Sequence, residues 1–310
     1  IDDIKGLTEA GFDVNDLLER SARIFFLQVF RDGFFHADMH PGNMFVDADG
    51  IFSRYTVERM LQGFEDGRTG AVCGDDRPVN LNRVQTRMLA FISHIGTGMV
   101  RRALTMIGCL PIVSGNIGAF PRNVVEEIGL FREDTVGEDL ELTWRVHKAG
   151  YRVVFAPRAL VYAESPSTVG ALWRQRVRWA RGLLQTMAVH KGMIGNVRHG
   201  RFGAYLLFNA ITMVVLPVVQ ILVLLDLAFL FALGYSPLGG DAWAVLGWLG
   251  IIVTLVLTVC ALGMNRAWKD LRHVWVLPLI PLYSVFTSLT MVAALGQELR
   301  GKEARWNKLT

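Results

Sequence analysis

Asp47 and Asp49, two residues apart in DADG, are carboxylates spaced closely enough to share a divalent cation and neutralise charge on a departing oxygen. Glu138 and Asp139 open the amphipathic stretch EDLELTWRVHKAG, where a carboxylate at a helix start is placed to accept a proton. Gln175, Arg178 and Trp179 in QRVRW fall on one helical turn and present an amide, a guanidinium and an indole together. Ser114, Gly115 and Asn116 belong to SGNIGAF, a small-residue loop. Upstream, His36, Asp38 and Asn43 in HADMHPGN fit H-x-D-x-x-x-x-N, a spacing that can set a base carboxylate near a cation-binding amide.

Each constellation also has a reading without chemistry. D-A-D-G is ordinary turn sequence. Glu138 and Asp139 are acids that the helix dipole favours in a first turn. Trp179 and its arginine neighbours can anchor a helix at a membrane interface. SGNIGAF can be a tight loop and nothing more.

The elements that must position these residues follow from periodicity. Val14, Leu18, Ala22, Phe25 and Val29 recur at helical spacing, and Gly33 stops the helix before HADMHPGN. Residues 54–65 read as a short helix, GAVCG as a strand entering a turn, and YRVVFAP as a strand after a helix that ends at Gly150. Residues 168–190 set Leu172, Trp179, Leu183 and Met187 against Arg174, Arg176, Arg178 and Arg181, a basic amphipathic helix suited to a bilayer surface.

Hydrophobic residues make up 52% of the 310, and the mean hydropathy of +0.33 reflects an apolar excess concentrated after residue 203. Segments 204–233, 242–263 and 274–296 are predicted transmembrane helices, the first complicated by Pro217 and Asp226. Arg198, Arg201 and the basic stretch NRAWKDLRH place the soluble part in the cytoplasm, but three crossings would leave the basic tail outside. One segment is therefore re-entrant or interfacial, or the tail is an exception. Cys73, Cys109 and Cys260 are isolated, which suggests neither a zinc site nor a disulfide framework. The net charge of +4, clustered beside apolar runs, points to a lipid bilayer as partner and away from nucleic acid. The chain opens on Ile1 without a charged and apolar leader, so the expectation is a fragment whose membrane insertion comes from internal segments.

From about residue 47 onward, DAD, GED, QRVRW, SGNIGAF and the apolar spans follow the order found in processive family 2 glycosyltransferases, which this region resembles. That group contains cellulose, hyaluronan and poly-N-acetylglucosamine synthases. The resemblance implies an α/β, partial GT-A-like (Rossmann-like) domain, followed by an interfacial amphipathic helix and transmembrane helices in a bacterial-type cytoplasmic (inner) membrane. It also implies inverting β-transfer from a UDP-sugar to a growing glycan acceptor. In that scheme Asp47 and Asp49 hold Mg2+ or Mn2+, and Asp139, beside Glu138, is the base. Gln175, Arg178 and Trp179 orient the substrate, grip the diphosphate and carry a pyranose ring, while Ser114, Gly115 and Asn116 contribute to the acceptor site.

Residues 5–50 resemble the atypical kinase-like family associated with ubiquinone biosynthesis, on the strength of GFFHADMHPGN. By that resemblance Asp38 is a catalytic-loop aspartate, Asn43 a metal ligand and His36 a structural member of the loop. No nucleotide-cradling loop, lysine or DFG-type aspartate accompanies them. The expected organisation is a kinase-like fragment over 1–46, the second half of a transferase domain over 47–167, an interfacial helix over 168–202 and a membrane region over 203–310. The first transferase half is not recognised in the chain, so it is expected to be catalytically silent alone. The alternatives are a kinase-like ATP-binding protein and a non-catalytic membrane protein.

Overall fold

The computed structural model describes residues 34–36, 50–53, 55–132, 134–235 and 241–301. The helix expected over 14–31 lies outside them, as do Asp38, Asn43, Asp47 and Asp49. The chain divides into two compact units. The first holds residues 1–79, 104–132 and 138–164, and the second holds 80–103, 133–137 and 165–310.

Unit 1 is α/β. Its mixed sheet runs in the order β1-β4-β3-β5-β2, with β1 at Phe34–His36, β2 at Gly50–Phe52, β3 at Thr69–Pro78, β4 at Gly118–Pro121 and β5 at Arg152–Ala163. β3 and β5 pair in parallel, with a register shift between Gly74 and Asp75, and the other pairings are antiparallel. Helices α1 (Thr56–Leu61), α4 (Arg122–Ile128) and α5 (Glu138–Lys148) flank it, while α3 (Arg101–Met106) follows α2 (Val84–Ser93) of unit 2. The alternation of strand side chains explains why both sheet faces are covered. Ala71 and Cys73 of β3 face a core with Leu110, Phe120, Val125, Leu142 and Phe155, whereas Val72 faces Met60, Ile117 and Val161.

One buried base in this unit gives a pH prediction. His147 on α5 donates from Nε2 to the Leu110 carbonyl at 2.8 Å. Burial, opposed by that bond, pushes its pKa down from 6.5 to about 4. The folded chain therefore refuses a proton that the unfolded chain accepts, and stability falls as pH drops from 6.5 toward 4. The loss is expected to reach no more than about 3 kcal/mol. Hydrogen exchange at the α5 amides, compared at pH 7 and pH 4.5, should show this loss in the native chain and a flatter profile in His147→Gln. Equal pH dependence in both would show that His147 is not the source.

Unit 2 is helical. It contains α2, a wider π turn over His94–Val100, α6 (Val169–Val189), α7 (Gly200–Ala210), α8 (Leu216–Ala232), α9 (Asp241–Met264) and α10 (Ile280–Leu299). A 3-10 segment, Trp268–Leu279, precedes α10. Val177 and Ala180 of α6 pack against Met291 and Ala294 of α10, and Met88 and Phe91 of α2 meet Leu262, Val276 and Leu277. The π turn closes over a polar core in which His94 Nε2 lies 2.9 Å from Asp270 Oδ2, and Arg102 donates to Asn265 Oδ1 at 2.7 Å. Among the described residues three helical stretches are long and apolar enough to cross a membrane: Val197–Ala232, Trp243–Met264 and Trp268–Leu299. They coincide with the spans expected from the sequence. Most of their apolar side chains are exposed.

Candidate active site

In unit 1 the loop Ser114–Asn116 and the start of α5 are hydrogen-bonded together. The Gly115 N–H donates to Asp139 Oδ2 at 3.1 Å. One turn on, the Val113 N–H donates to Thr143 Oγ1 at 3.0 Å, and that hydroxyl donates to the Asp139 carbonyl at 2.7 Å. Fully buried Val113 and Ile117 bracket the loop and hold it in the core. Asp139 is half-buried, and its Oδ1 accepts the Leu140 N–H at 2.7 Å. SGN and GED, 24 residues apart, thus form one structure. Thr143 was not expected in it; its only signal is a polar residue on the buried face of an amphipathic helix, four positions after Asp139.

In unit 2 the Thr168 hydroxyl caps α6 by accepting the Ala171 N–H at 3.2 Å. Gln175, Arg178 and Trp179 share one face, at helical spacings of three and four. The indole of Trp179 is half exposed, and the Arg176 guanidinium stacks 4.0 Å from its centre while donating to the Tyr283 hydroxyl at 2.8 Å. Such a contact fixes the ring with one face free. The Oε1 atom of Gln175 is buried without a hydrogen-bond partner among the described residues. At Gly182 the helix meets the backbone of Gly137, so closely that a Cβ on either would come within about 3.2 Å of the other's Cα. Glycine is needed at both positions.

The four arginines of α6 do not share one basic face. Arg181 is buried and donates to Glu298 of α10 at 2.5 Å, and Gln185 donates to the same carboxylate at 3.1 Å. Burial of a charge requires such a partner, and Glu298 supplies it from the far end of the sequence. Of the apolar residues expected to face a bilayer surface, Leu172 and Met187 are buried within the protein, whereas Trp179 is half exposed.

Asp47, Asp49, Asp38 and Asn43 lie outside the described residues, and of His36 the structure describes the backbone, paired in β1 with Ala119. Among the described residues no group of three or more His, Cys, Asp or Glu could hold a metal ion.

The model of glycosyl transferase family group 2 matches residues 44–282. The chain belongs to that family. Its GED, SGN and QRVRW motifs all fall within the matched region, and the α/β unit agrees with the GT-A-like fold expected from the sequence. The chain is similar to the poly-beta-1,6-N-acetyl-D-glucosamine synthase of Staphylococcus aureus (strain COL), with 32% identity over 169 residues, 53% of this chain and 40% of that protein. The synthase of the same name from Staphylococcus epidermidis aligns at 32% over 144 residues, 45% of this chain and 34% of that one. The chain thus spans less than half the length of the curated relatives it matches. A solved mannosyltransferase from Pyrobaculum calidifontis, in complex with GDP-Man and Mn2+, superposes with a TM-score of 0.49 at 20% identity, covering 81% of this chain and 59% of that one. A second family model, the ABC1 atypical kinase-like domain, matches residues 1–61, a short kinase-like match at the front of the chain.

Proposed function

We propose that this chain is the carboxy-terminal portion of a membrane-bound inverting β-glycosyltransferase of polysaccharide-synthase type, taking sugar from a UDP-sugar to a growing glycan. The observation that carries the reading is the bond from the Gly115 N–H to Asp139, which sets a half-buried carboxylate against the SGN loop. A base on the face opposite the leaving group must accept the acceptor hydroxyl proton, and Asp139 is the group offered, with Glu138 beside it. Ser114, Gly115 and Asn116 would contact the acceptor. Arg178 would grip the donor diphosphate, Gln175 would use its unsatisfied oxygen to orient a hydroxyl, and Trp179 would carry a sugar ring on its free face. Asp47 and Asp49 would hold Mg2+ or Mn2+, which neutralises charge on the leaving diphosphate.

Residues 47–167 would form the second half of the catalytic domain, 168–202 the interfacial helix and 203–310 the membrane region, with the soluble part facing the cytoplasm in a bacterial-type inner membrane and 1–46 a kinase-like preface. The full chain is then expected to resist alkaline carbonate extraction, and a version lacking 204–310 to wash out. Recovery of the full chain in the soluble fraction would remove the membrane part of the reading.

The functional test joins the chain to the amino-terminal half of the S. aureus synthase and measures UDP release from UDP-sugars in membranes free of host synthases. The chimera should turn over donor. The 310 residues alone should be silent, because holding a nucleotide from both sides supplies most of the rate. A silent chimera that folds and inserts would overturn the reading. A second reading, ATP binding through His36, Asp38 and Asn43, is favoured by the kinase-like match alone and would show as ATP affinity lost in Asp38→Asn.

A further inference from the structure

Two residues before Glu138 the main chain is held by a side chain from 49 positions away: the Val136 N–H donates to Oε1 of Gln185 on α6 at 3.0 Å. Gln185 lies one turn beyond Gly182, which meets the backbone of Gly137, so one face of α6 holds two successive residues of the segment that leads into GED. The neighbouring hydroxyl of Thr135 is buried without a hydrogen-bond partner among the described residues and takes no share in this.

A glutamine can present either end of its amide, and the choice here is made from α10. Nε2 of Gln185 donates to Glu298 Oε1 at 3.1 Å, and a carboxylate paired with an arginine only accepts. Oε1 is thereby left for Val136. The same Glu298 oxygen accepts from Arg181 Nε at 2.5 Å, which holds the carboxylate in place, and Arg181 and Gln185, four apart on α6, both reach it. We propose that Gln185 is a positioning residue for sugar transfer: oriented by Glu298, it fixes the main chain at the entry to α5 and so the place of the Asp139 carboxylate three residues on. This rests on Asp139 being the base, as proposed above. The part of Gln185 is to set where the proton acceptor stands, and a small displacement of a reacting group costs rate far more than it costs binding.

The test uses the chimera with the amino-terminal half of the S. aureus synthase. Gln185→Met keeps the length of the side chain and removes both of its bonds. It should lower kcat by about 10-fold or more, while KM for the donor stays within about threefold and the number of UDP-binding sites per chain is unchanged. The exchanged pair, Gln185→Glu with Glu298→Gln, moves the carboxylate onto α6, where it can accept from Val136, from Arg181 one turn away and from the amide now on α10. That double variant should recover kcat to within about threefold of the parent. A double variant no faster than Gln185→Met would overturn the orienting part of Glu298. UDP-binding sites lost in proportion to turnover in Gln185→Met would mark a folding defect and overturn the positioning role. A silent chimera that folds and inserts overturns the base and the positioning role together; an active one whose kcat is indifferent to Gln185→Met overturns the positioning role alone.

Discussion

Asp139→Asn, placed in the chimera with the S. aureus amino-terminal half, is expected to lower donor turnover by about 100-fold or more while leaving UDP affinity within a few fold. Asparagine has the same shape, and its amide oxygen can still accept the Gly115 N–H that Asp139 accepts at 3.1 Å, at the expense of the Leu140 N–H that the other carboxylate oxygen accepts at 2.7 Å. The SGN loop should therefore stay where it is, held also by the Val113 bond to Thr143. What disappears is the capacity to take a proton, a loss felt in the transition state and not in the ground state. Glu138→Gln is the matched control, since it removes a neighbouring charge without touching either bond to the loop. A smaller effect there would separate base chemistry from local electrostatics. Unchanged turnover in Asp139→Asn, or an equal loss in both variants, would remove Asp139 as the base.

What the sequence made legible was local. The helix from Glu138 and its stop at Gly150, which has a φ of +88°, follow from amphipathic spacing and a left-handed cap. The same holds for α6 and for the apolar spans, whose character is carried by composition. Long-range relations were not legible. That β3 lies between β4 and β5 depends on pairings across about 45 to 85 residues, for which the strands themselves carry no address. Arg181 reads as one more basic residue of an interfacial helix because its partner, Glu298, is 117 positions away. The site divides in the same way. Asp139, Gly115 and Trp179 could be picked out by motif, whereas Thr143, outside any motif, and Arg176, at an unspecified position inside QRVRW, have their roles in holding the loop and the indole shown only by their contacts.

Arg145→Met is expected to destabilise unit 1 by about 3–5 kcal/mol, the cost of leaving a buried ion without its counter-ion. Glu141 is fully buried on the inner side of α5, and Arg145, one turn later, grips both its oxygens from Nε at 3.0 and 2.9 Å. The same guanidinium donates to the carbonyl of Ile128 at 2.8 Å and of Leu130 at 2.5 Å. The first carbonyl ends α4 and the second lies just past it, where the chain turns through Gly129 at φ +94° and Leu130 at φ +59°, a conformation that a leucine adopts only under constraint. Removing the guanidinium therefore strands a carboxylate in the core, frees the Ile128 and Leu130 carbonyls and releases the constraint on Leu130. All three act together on the end of α4 and on α5, the helix that carries Asp139. The double variant Glu141→Leu with Arg145→Met should recover part of the loss, because apolar replacement of a whole buried pair is often neutral. Hydrogen exchange at α4 and α5 amides reads both effects. A single-variant loss below about 1 kcal/mol, the range of an exposed pair, would mean that the clasp is ornamental to the fold and that Asp139 is held by its loop alone.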